Sequence, residues 1–511
     1  MNRKIKSRFC AITALLLALA CALPPTSVAA AETGVSDSVT ATIPSAGTPA
    51  ESEPPQDTSA AAEEAADEVP PADEPIVVPP PVFPDVFEDD WFYADVTRLA
   101  QEKILNGYPD GYFHPSSEIT NAEFVKILML SVGADITAEP ELVLFPEHWS
   151  SAYISLAYER GIITDDDLIM GFDPSAPITR SAMTKMMILA LCIEPARIDD
   201  PFCDISDIYA STAYKEYLLR GYLVEDGTRI YNGAGNALRS EAAAIVVRVL
   251  NYREDAYAYK KDAILQNASE NELNTESELI DLFYILNREF MTEFTFKTEV
   301  PFEIWEHYYR HANVIYLEYF YTSSLRCSYD PEKPLIYKVT LEYSQDIETL
   351  KQLHAESEAR ADKIVDSVMS EGMSDADKVK AIHDYLILNC EYDYNSYLAG
   401  TVSFESRLAY GVLCQKSAVC QGYTAAFNLL CRRAGVRSVV VTGTAPASTD
   451  DHAWNMVLID GQIYHIDTTH DDPVPDVTGR ISYRYYMLTE AEMAEMGYVW
   501  DKSHSNLKYF Y

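Results

Sequence analysis

The sequence predicts a multidomain chain, with an all-α head of three repeats followed by an α+β domain that carries a candidate catalytic site. Three observations predict it. A five-residue pattern returns at equal spacing, as TNAEF at Thr120 to Phe124, TRSAM at Thr179 to Met183 and LRSEA at Leu238 to Ala242, and a fixed period marks units that need one another to close a core. The length of 511 residues is too great for a single core. Near the C-terminus a helical stretch is followed by two β-rich runs joined by Asp460-Gly461, a two-residue hairpin signal.

The elements follow in order. Arg3, Lys4, Lys6 and Arg8 precede an apolar run from Phe9 to Ala22, then Pro24, Pro25 and the small residues SVAAA. That pattern reads residues 1–30 as a secretory signal peptide cut between Ala29 and Glu32, too short to serve as a membrane span. Lipidation at Cys21 is the alternative, although leucine stands one place out of register for it. Residues 31–82 are rich in Ala, Pro, Ser, Thr, Glu and Asp. They bury too little apolar surface to offset their ordering entropy and are expected to be a disordered linker. No later apolar run reaches spanning length, so the mature chain is expected to lack a transmembrane segment and to be exported.

The net charge of −40 argues against a nucleic-acid partner, which is held by a positive field and counterion release, and against polybasic attachment to anionic lipid. An anionic ligand must be caught by local cations. Of nine cysteines, Cys10 and Cys21 leave with the signal, and the odd number remaining excludes complete pairing. Cys192, Cys203, Cys327, Cys390 and Cys431 lie in apolar surroundings and read as buried small hydrophobes.

The repeats are placed at 83–138, 139–197 and 198–252. Each opens on an aromatic-containing stretch (FPDVFEDDWFYADV, FPEHWSSAYISL, FCDISDIYASTAY) and continues into a helix ending near Ile104, Ile162 or Tyr222. A polar turn and a second helix follow. Thr120 and Glu123, three apart ahead of FVKILML, form a capping box. ILNGYPDGYFHPSSEITNAEF and its two weaker counterparts resemble the S-layer homology family. The resemblance implies a pseudo-threefold helical head that binds secondary cell-wall polysaccharide, often pyruvylated, and so a place in the cell wall or S-layer of a bacterial surface. Repeat one keeps the Gly-rich loop but has Asn121 where the family has arginine, whereas repeats two and three keep Arg180 and Arg239 without the loop. A guanidinium offers a planar fork that fits a carboxylate, so Arg180 and Arg239 are the candidate wall-polymer-binding residues. Capping or surface pairing is the plainer role for the same two side chains.

Residues 253–372 read as an α+β spacer without chemistry. FTFKTEV, NVIYLEYFYTS and LIYKVTLEYS are its strands, and ESELIDLFYILNREF and DIETLKQLHAESEARADKIVDSVM its helices.

Residues 373–511 carry the chemistry. Ser374 and Asp377 cap a helix whose Val379, Ile382, Leu386 and Cys390 share one face, with His383 beside that stripe as a packed or surface residue. In AVCQGYTAAF, Cys420 stands in the first turn of the next helix, off the buried stripe of Phe427, Leu430 and Cys431. Open backbone N–H groups and the helix dipole favour a thiolate there, and Gly435 ends the helix. RSVVVTG is a strand and APASTDD a loop. The hairpin register pairs Ile459 with Gln462 and, counted outward, Trp454 with Asp467 and His452 with Thr469. His452 and Asp467 then project from one face as diagonal neighbours, and a carboxylate so placed fixes the imidazole tautomer. Cysteine, histidine and aspartate in these positions are a thiol nucleophile, its base and its orienter.

AVCQGYTAAF, DHAWNMV and YHIDTTHDDP resemble, in that order, the bacterial transglutaminase-like core, a papain-like α+β fold, over about Asp375 to Leu488. The resemblance carries catalytic roles onto Cys420, His452 and Asp467. It departs at His470, where the family usually has tryptophan, which leaves the cleft's shape open. The Cys420 amide would contribute to an oxyanion hole, with Gln415 a candidate second donor. No cofactor is expected. No metal is expected either, since Cys420, His452 and Asp467 lack a fourth ligand at zinc-like spacing. Cys414 could pair with Cys420 as a redox lock, and Trp454 would shield the imidazole or pack in the core. The expectation is a wall-anchored cysteine peptidase or amidase acting on a protein or peptide through a thioester. Protein cross-linking and a non-catalytic surface-binding role are the alternatives.

Overall fold

The computed structural model describes residues 39–44, 82–195, 201–224, 228–330, 333–446, 451–472, 474–477 and 479–502. The expected signal peptide and most of the expected linker lie outside them. Within the linker one stretch departs from expectation, for Val39–Pro44, rich in β-branched residues, forms a strand, β1. The described residues divide into two compact units, one within 52–267 and the other within 268–510 together with 39–44.

The first unit holds the repeats. Its helices are α1 (Tyr93–Gln101), α2 (Asn121–Ser131), α3 (Ser151–Glu159), α4 (Asp165–Ile169), α5 (Arg180–Ala190), α6 (Ile208–Lys215) and α7 (Arg239–Glu254). The predicted capping box at Thr120 and Glu123 is present. The first helix of repeat three stops at Lys215 rather than near Tyr222. The chain turns at Tyr217, whose φ of 60° is left-handed, and Tyr222–Leu223 (β2) and Arg229–Ile230 (β3) instead form a small antiparallel hairpin. Val96, Leu99, Phe124, Leu128, Ile154, Met187 and Val246 share one core.

The three repeats close into a ring of backbone hydrogen bonds. Ile119 N–H donates to Ala237 C=O at 3.1 Å, Ala237 N–H to Ile178 C=O at 2.9 Å, and Ile178 N–H to Ile119 C=O at 2.9 Å. Each second helix opens against the loop of the next repeat round the ring, with Asn121, Arg180 and Arg239 N–H donating to Ala176, Gly235 and Ser117 C=O. Cys192 and Cys203, expected to be buried, are exposed. Cys192 falls just past the end of α5, at φ 54°, where the apolar stripe has stopped.

Helix α8 (Ala256–Glu270) runs across the division at residue 267, and the second unit then holds α9 (Glu276–Arg288), β4 (Glu293–Lys297), α10 (Phe302–Ile315), β5 (Thr322–Asp330), β6 (Lys333–Tyr343) and α11 (Ile347–Val368). The strands form an antiparallel sheet in the order β1-β5-β6-β4. NVIYLEYFYTS is not one strand. The buried stripe Trp305, Tyr309, Ala312 and Ile315 carries α10 through it, and a 3₁₀ turn at Leu317–Tyr319 precedes β5.

Next come α12 (Asp375–Asn389), β7 (Glu391–Tyr392), α13 (Tyr394–Ala399), β8 (Ser417–Ala418), α14 (Cys420–Arg433), β9 (Ser438–Thr444), β10 (Asp451–Ile459), β11 (Gln462–Ile466), α15 (Thr468–Asp471), α16 (Glu490–Glu495) and β12 (Val499–Trp500). The second sheet runs β11-β10-β9-β12, all antiparallel. The expected spacer boundary at residue 372 is not a packing boundary. Tyr319, Ala361 and Ile364 share a core with Val379, Ile382, Leu386, Phe427 and Leu430, since the apolar stripe of α11 has nowhere else to be covered.

Candidate active site

Cys420 opens α14. Val419 before it is extended, with φ −102° and ψ 177°, and no side chain caps the helix, so the first-turn N–H groups stay available to a developing oxyanion. Gly422 makes this start possible, because a Cβ there would lie 2.6 Å from Ser406 O. Cys414 is not bonded to Cys420, and the described cysteines are all free. Gln415 is exposed at the end of a π-helical turn, Gly411–Gln415.

The hairpin register is Ile459 opposite Gln462 outward to Asn455 opposite Ile466. Pairing stops there, short of the predicted continuation to Thr469, because Asp467 leaves the sheet and caps α15 by accepting the His470 backbone N–H at 3.1 Å. His452 and Asp467 still meet, with Nε2 to Oδ2 at 2.7 Å. The Cys420 sulfur lies near enough to the His452 ring to help raise its pKa, and with Nε2 committed to the carboxylate Nδ1 is the nitrogen left for the sulfur. Burial works against charge on His452 but is outweighed by the Asp467 carboxylate and the adjacent sulfur, which push its pKa up to about 10. Asp467 is fully buried, yet the charges and hydrogen bonds of His452 and His470 outweigh that desolvation and hold it well below the usual carboxylate range.

Tyr498 is a partner the sequence did not disclose. Its hydroxyl donates to Asp467 Oδ2 at 2.6 Å. It arrives through the pairing of β12 with β9 at Gly443 and Thr444, a contact far along the chain with no local signal. His470 lies parallel to His452, ring centroids 4.4 Å apart, with Nδ1 2.9 Å from Asp467 Oδ2. Trp454 stacks beside His452, and its Nε1–H donates to His465 Nδ1 at 2.9 Å. Burial pushes His465 down to about 4, so it accepts as a neutral ring. His383, expected to be a plain packed residue, is fully buried with Nε2 3.3 Å from Asp471 Oδ2.

In the repeat unit the candidate wall residues are engaged internally. Arg180 pairs with Glu241 at 2.6 Å. Arg239 is buried. Its Nε donates to Phe113 C=O at 2.9 Å and its Nη2 to Asn106 C=O at 3.2 Å, and the guanidinium lies 4.4 Å from the Tyr108 ring centre. The arginine of repeat three is thereby reunited with the Gly-rich loop of repeat one. Arg239 also approaches Glu123 at 3.4 Å, so each arginine meets the motif glutamate of the next repeat. Asn121 has Ala182 at the equivalent place, and its amide donates to Asp173 and Ala176 C=O.

Residues 362–468 match the transglutaminase-like superfamily. Residues 82–125 and 145–184 match the S-layer homology domain. An uncharacterized cell wall amidase of Bacillus anthracis is 32% identical over 117 residues, 21% of this chain and 22% of that protein. The human kyphoscoliosis peptidase is 28% identical over 145 residues, 25% of this chain and 21% of its own. The chain thus spans about a fifth of the length of either relative. A solved structure described as a TGase aligns with 32% of this chain and 47% of its own at 21% identity, with a TM-score of 0.21. The chain carries an S-layer homology region and, C-terminal to it, a transglutaminase-like domain.

Proposed function

We propose that this chain is a cell-surface cysteine enzyme that cleaves amide bonds of a protein or peptide. The observation that carries the reading is His452, hydrogen-bonded to the buried Asp467 and close to a thiol at an uncapped helix start. The Cys420 thiolate attacks the carbonyl carbon, and the oxyanion draws on the Cys420 amide, with Gln415 a candidate second donor. The C–N bond breaks as the His452 imidazolium gives its proton to the leaving amine, and a thioester remains. Neutral His452 then takes a proton from water, the hydroxide attacks the thioester, and the thiolate is released. Asp467 holds the ring and stabilises its charged form. The relatives named as an amidase and a peptidase favour water as the second nucleophile; an amine in its place would give cross-linking.

The S-layer homology repeats support attachment to cell-wall polysaccharide, with Arg180 and Arg239 at the grooves between repeats and a pyruvylated, carboxylate-bearing polymer as the ligand. Labelling by a thiol-directed suicide inhibitor tests the catalytic reading. Strong modification of Cys420 in the wild type and much less in His452→Ala is expected, and equal labelling returns the chain to a non-catalytic surface binder. Mass spectrometry of products from a glutamine peptide plus an amine separates hydrolysis from cross-linking. Unchanged affinity for purified wall polymer in a folded Arg180→Ala, Arg239→Ala double variant removes those two residues from the wall site.

A further inference from the structure

Four ligand-type atoms converge behind the catalytic ring. Asp467 Oδ2 lies 2.7 Å from His452 Nε2, 2.9 Å from His470 Nδ1 and 2.6 Å from the Tyr498 hydroxyl. His470 Nδ1 and that hydroxyl are themselves 2.5 Å apart. The ligand atoms of His452, Asp467 and His470 all fall within 4.8 Å of one another. One carboxylate oxygen therefore takes hydrogen bonds from His452 and Tyr498, while His470 Nδ1 lies against it and is hydrogen-bonded to the Tyr498 hydroxyl, in a place where a single dication could replace the shared protons.

We propose that His452, Asp467 and His470, with the Tyr498 hydroxyl beside them, form a binding site for a zinc-class divalent metal ion, and that filling it takes His452 away from Cys420. Two imidazole nitrogens and a carboxylate suit zinc and its neighbours in the first transition row, whereas magnesium and calcium prefer oxygen ligands. The site has a way in, because the His470 side chain is 36% exposed while Asp467 is fully enclosed. It also has outer support. Asp467 Oδ1 accepts the His470 backbone N–H, and Trp454, fixed by His465, flanks His452; such partners hold ligands in orientation. The net charge of −40, adverse to anions, gathers cations.

Binding balances simply. The His452 imidazolium releases the proton on Nε2 to solvent as that nitrogen takes the metal, and Nδ1 keeps its hydrogen. A ring held in this form cannot accept a proton from the thiol, so the ion acts as a reversible off-switch. That regulatory consequence, unlike the site itself, rests on the catalytic reading above.

The test uses the full chain with Cys420→Ser and with the exposed Cys192 and Cys203 also replaced by serine in every variant, so that these thiols do not compete, and titrates Zn2+ against a chromophoric chelator. One ion per chain is expected, with affinity lower by at least about tenfold in Cys420→Ser, His470→Phe, and no displacement by Mg2+ or Ca2+. Tyr498→Phe, each variant first shown to keep its near-ultraviolet circular dichroism, serves as a second probe and is expected to bind more weakly. Equal Zn2+ uptake with and without His470, or none at all in Cys420→Ser, overturns the site. In the wild-type chain, Zn2+ should slow thiol alkylation of Cys420, and a chelator should restore it. Protection that persists in His470→Phe overturns the switch. Binding is read without turnover, so a chain that takes up the ion yet cleaves no amide keeps the metal site and loses only the enzymatic reading.

Discussion

His452 carries charge where a free histidine would not. With its pKa pushed up to about 10, the proton it must hand to a leaving amine stays in place far into the alkaline range. The pH profile of kcat/KM is expected to keep its alkaline limb near that value. Asp467→Ala removes the carboxylate and leaves the desolvation, so the limb should fall toward or below 6.5 and the rate drop by at least about a hundredfold. For stability the sign follows from the raised value, since the His452 contribution is complete below 6.5 and is lost as pH rises through about 10. Asp472 acts in the same direction over a lower pH window. Its carboxyl accepts the Tyr423 hydroxyl at 2.5 Å, its other oxygen is buried without a partner, and burial pushes its pKa up from 3.8 to about 7. A raised acid favours the folded state when protonated, so wild-type stability should decline as pH climbs between those values. Asp472→Asn, followed by melting temperature against pH, should lose that slope. The place of Cys420 at a helix start and the meeting of His452 with Asp467 were legible because a helix start and a two-residue turn fix side chains locally. Tyr498 and the place of His470 were not, because both depend on β12 returning to β9. The paired losses at Asn121 and Ala182 also escaped the sequence, since their partnership exists only across the ring.

Helix α14 is the element on which the chemistry turns. Its first residue is the candidate nucleophile, and its last turns are tied down by Asn428 Nδ2 and the Arg432 guanidinium, both bonded to the buried Glu318 carboxylate and to Ile315 C=O. Those anchors lie in the stretch that sequence reasoning set aside as a spacer, which is why the boundary near residue 372 failed. Apolar periodicity reports that a face is buried, not which element covers it. The strand expected across residues 313–323 failed for a related reason. β-Branched and aromatic residues there also satisfy the stripe of α10, and a short apolar run does not distinguish the two. Two element-scale outcomes follow. Gly422→Ala, forced against Ser406 O, should shift the start of α14 and reduce turnover by about a hundredfold with less effect on melting. Glu318→Ala, which takes the carboxylate from the half-buried Arg432 guanidinium and from buried Asn428, should cost about 1–3 kcal/mol in denaturant unfolding.

At the scale of the whole molecule, the proposed attachment sets a strongly acidic chain on a pyruvylated wall polymer that carries acid of its own. Long-range repulsion should therefore set the pace of attachment. Its association rate with purified polymer, measured by surface binding, is expected to rise as salt increases from about 10 to about 150 mM and the screening length shrinks from about 30 to about 8 Å; a falling rate would mean that a local cationic patch governs approach instead. The three-repeat organisation was plain from periodicity, but how the repeats join was not. Open stacks of repeats grow or shrink by one unit and need specialised ends. Here Ile119, Ala237 and Ile178 hand a hydrogen bond round a circle and back to its start. Such a loop admits neither a fourth member nor a missing one, so the number of copies in this head is dictated by closure, and evolution can vary the linkers and cargo around it but not the count.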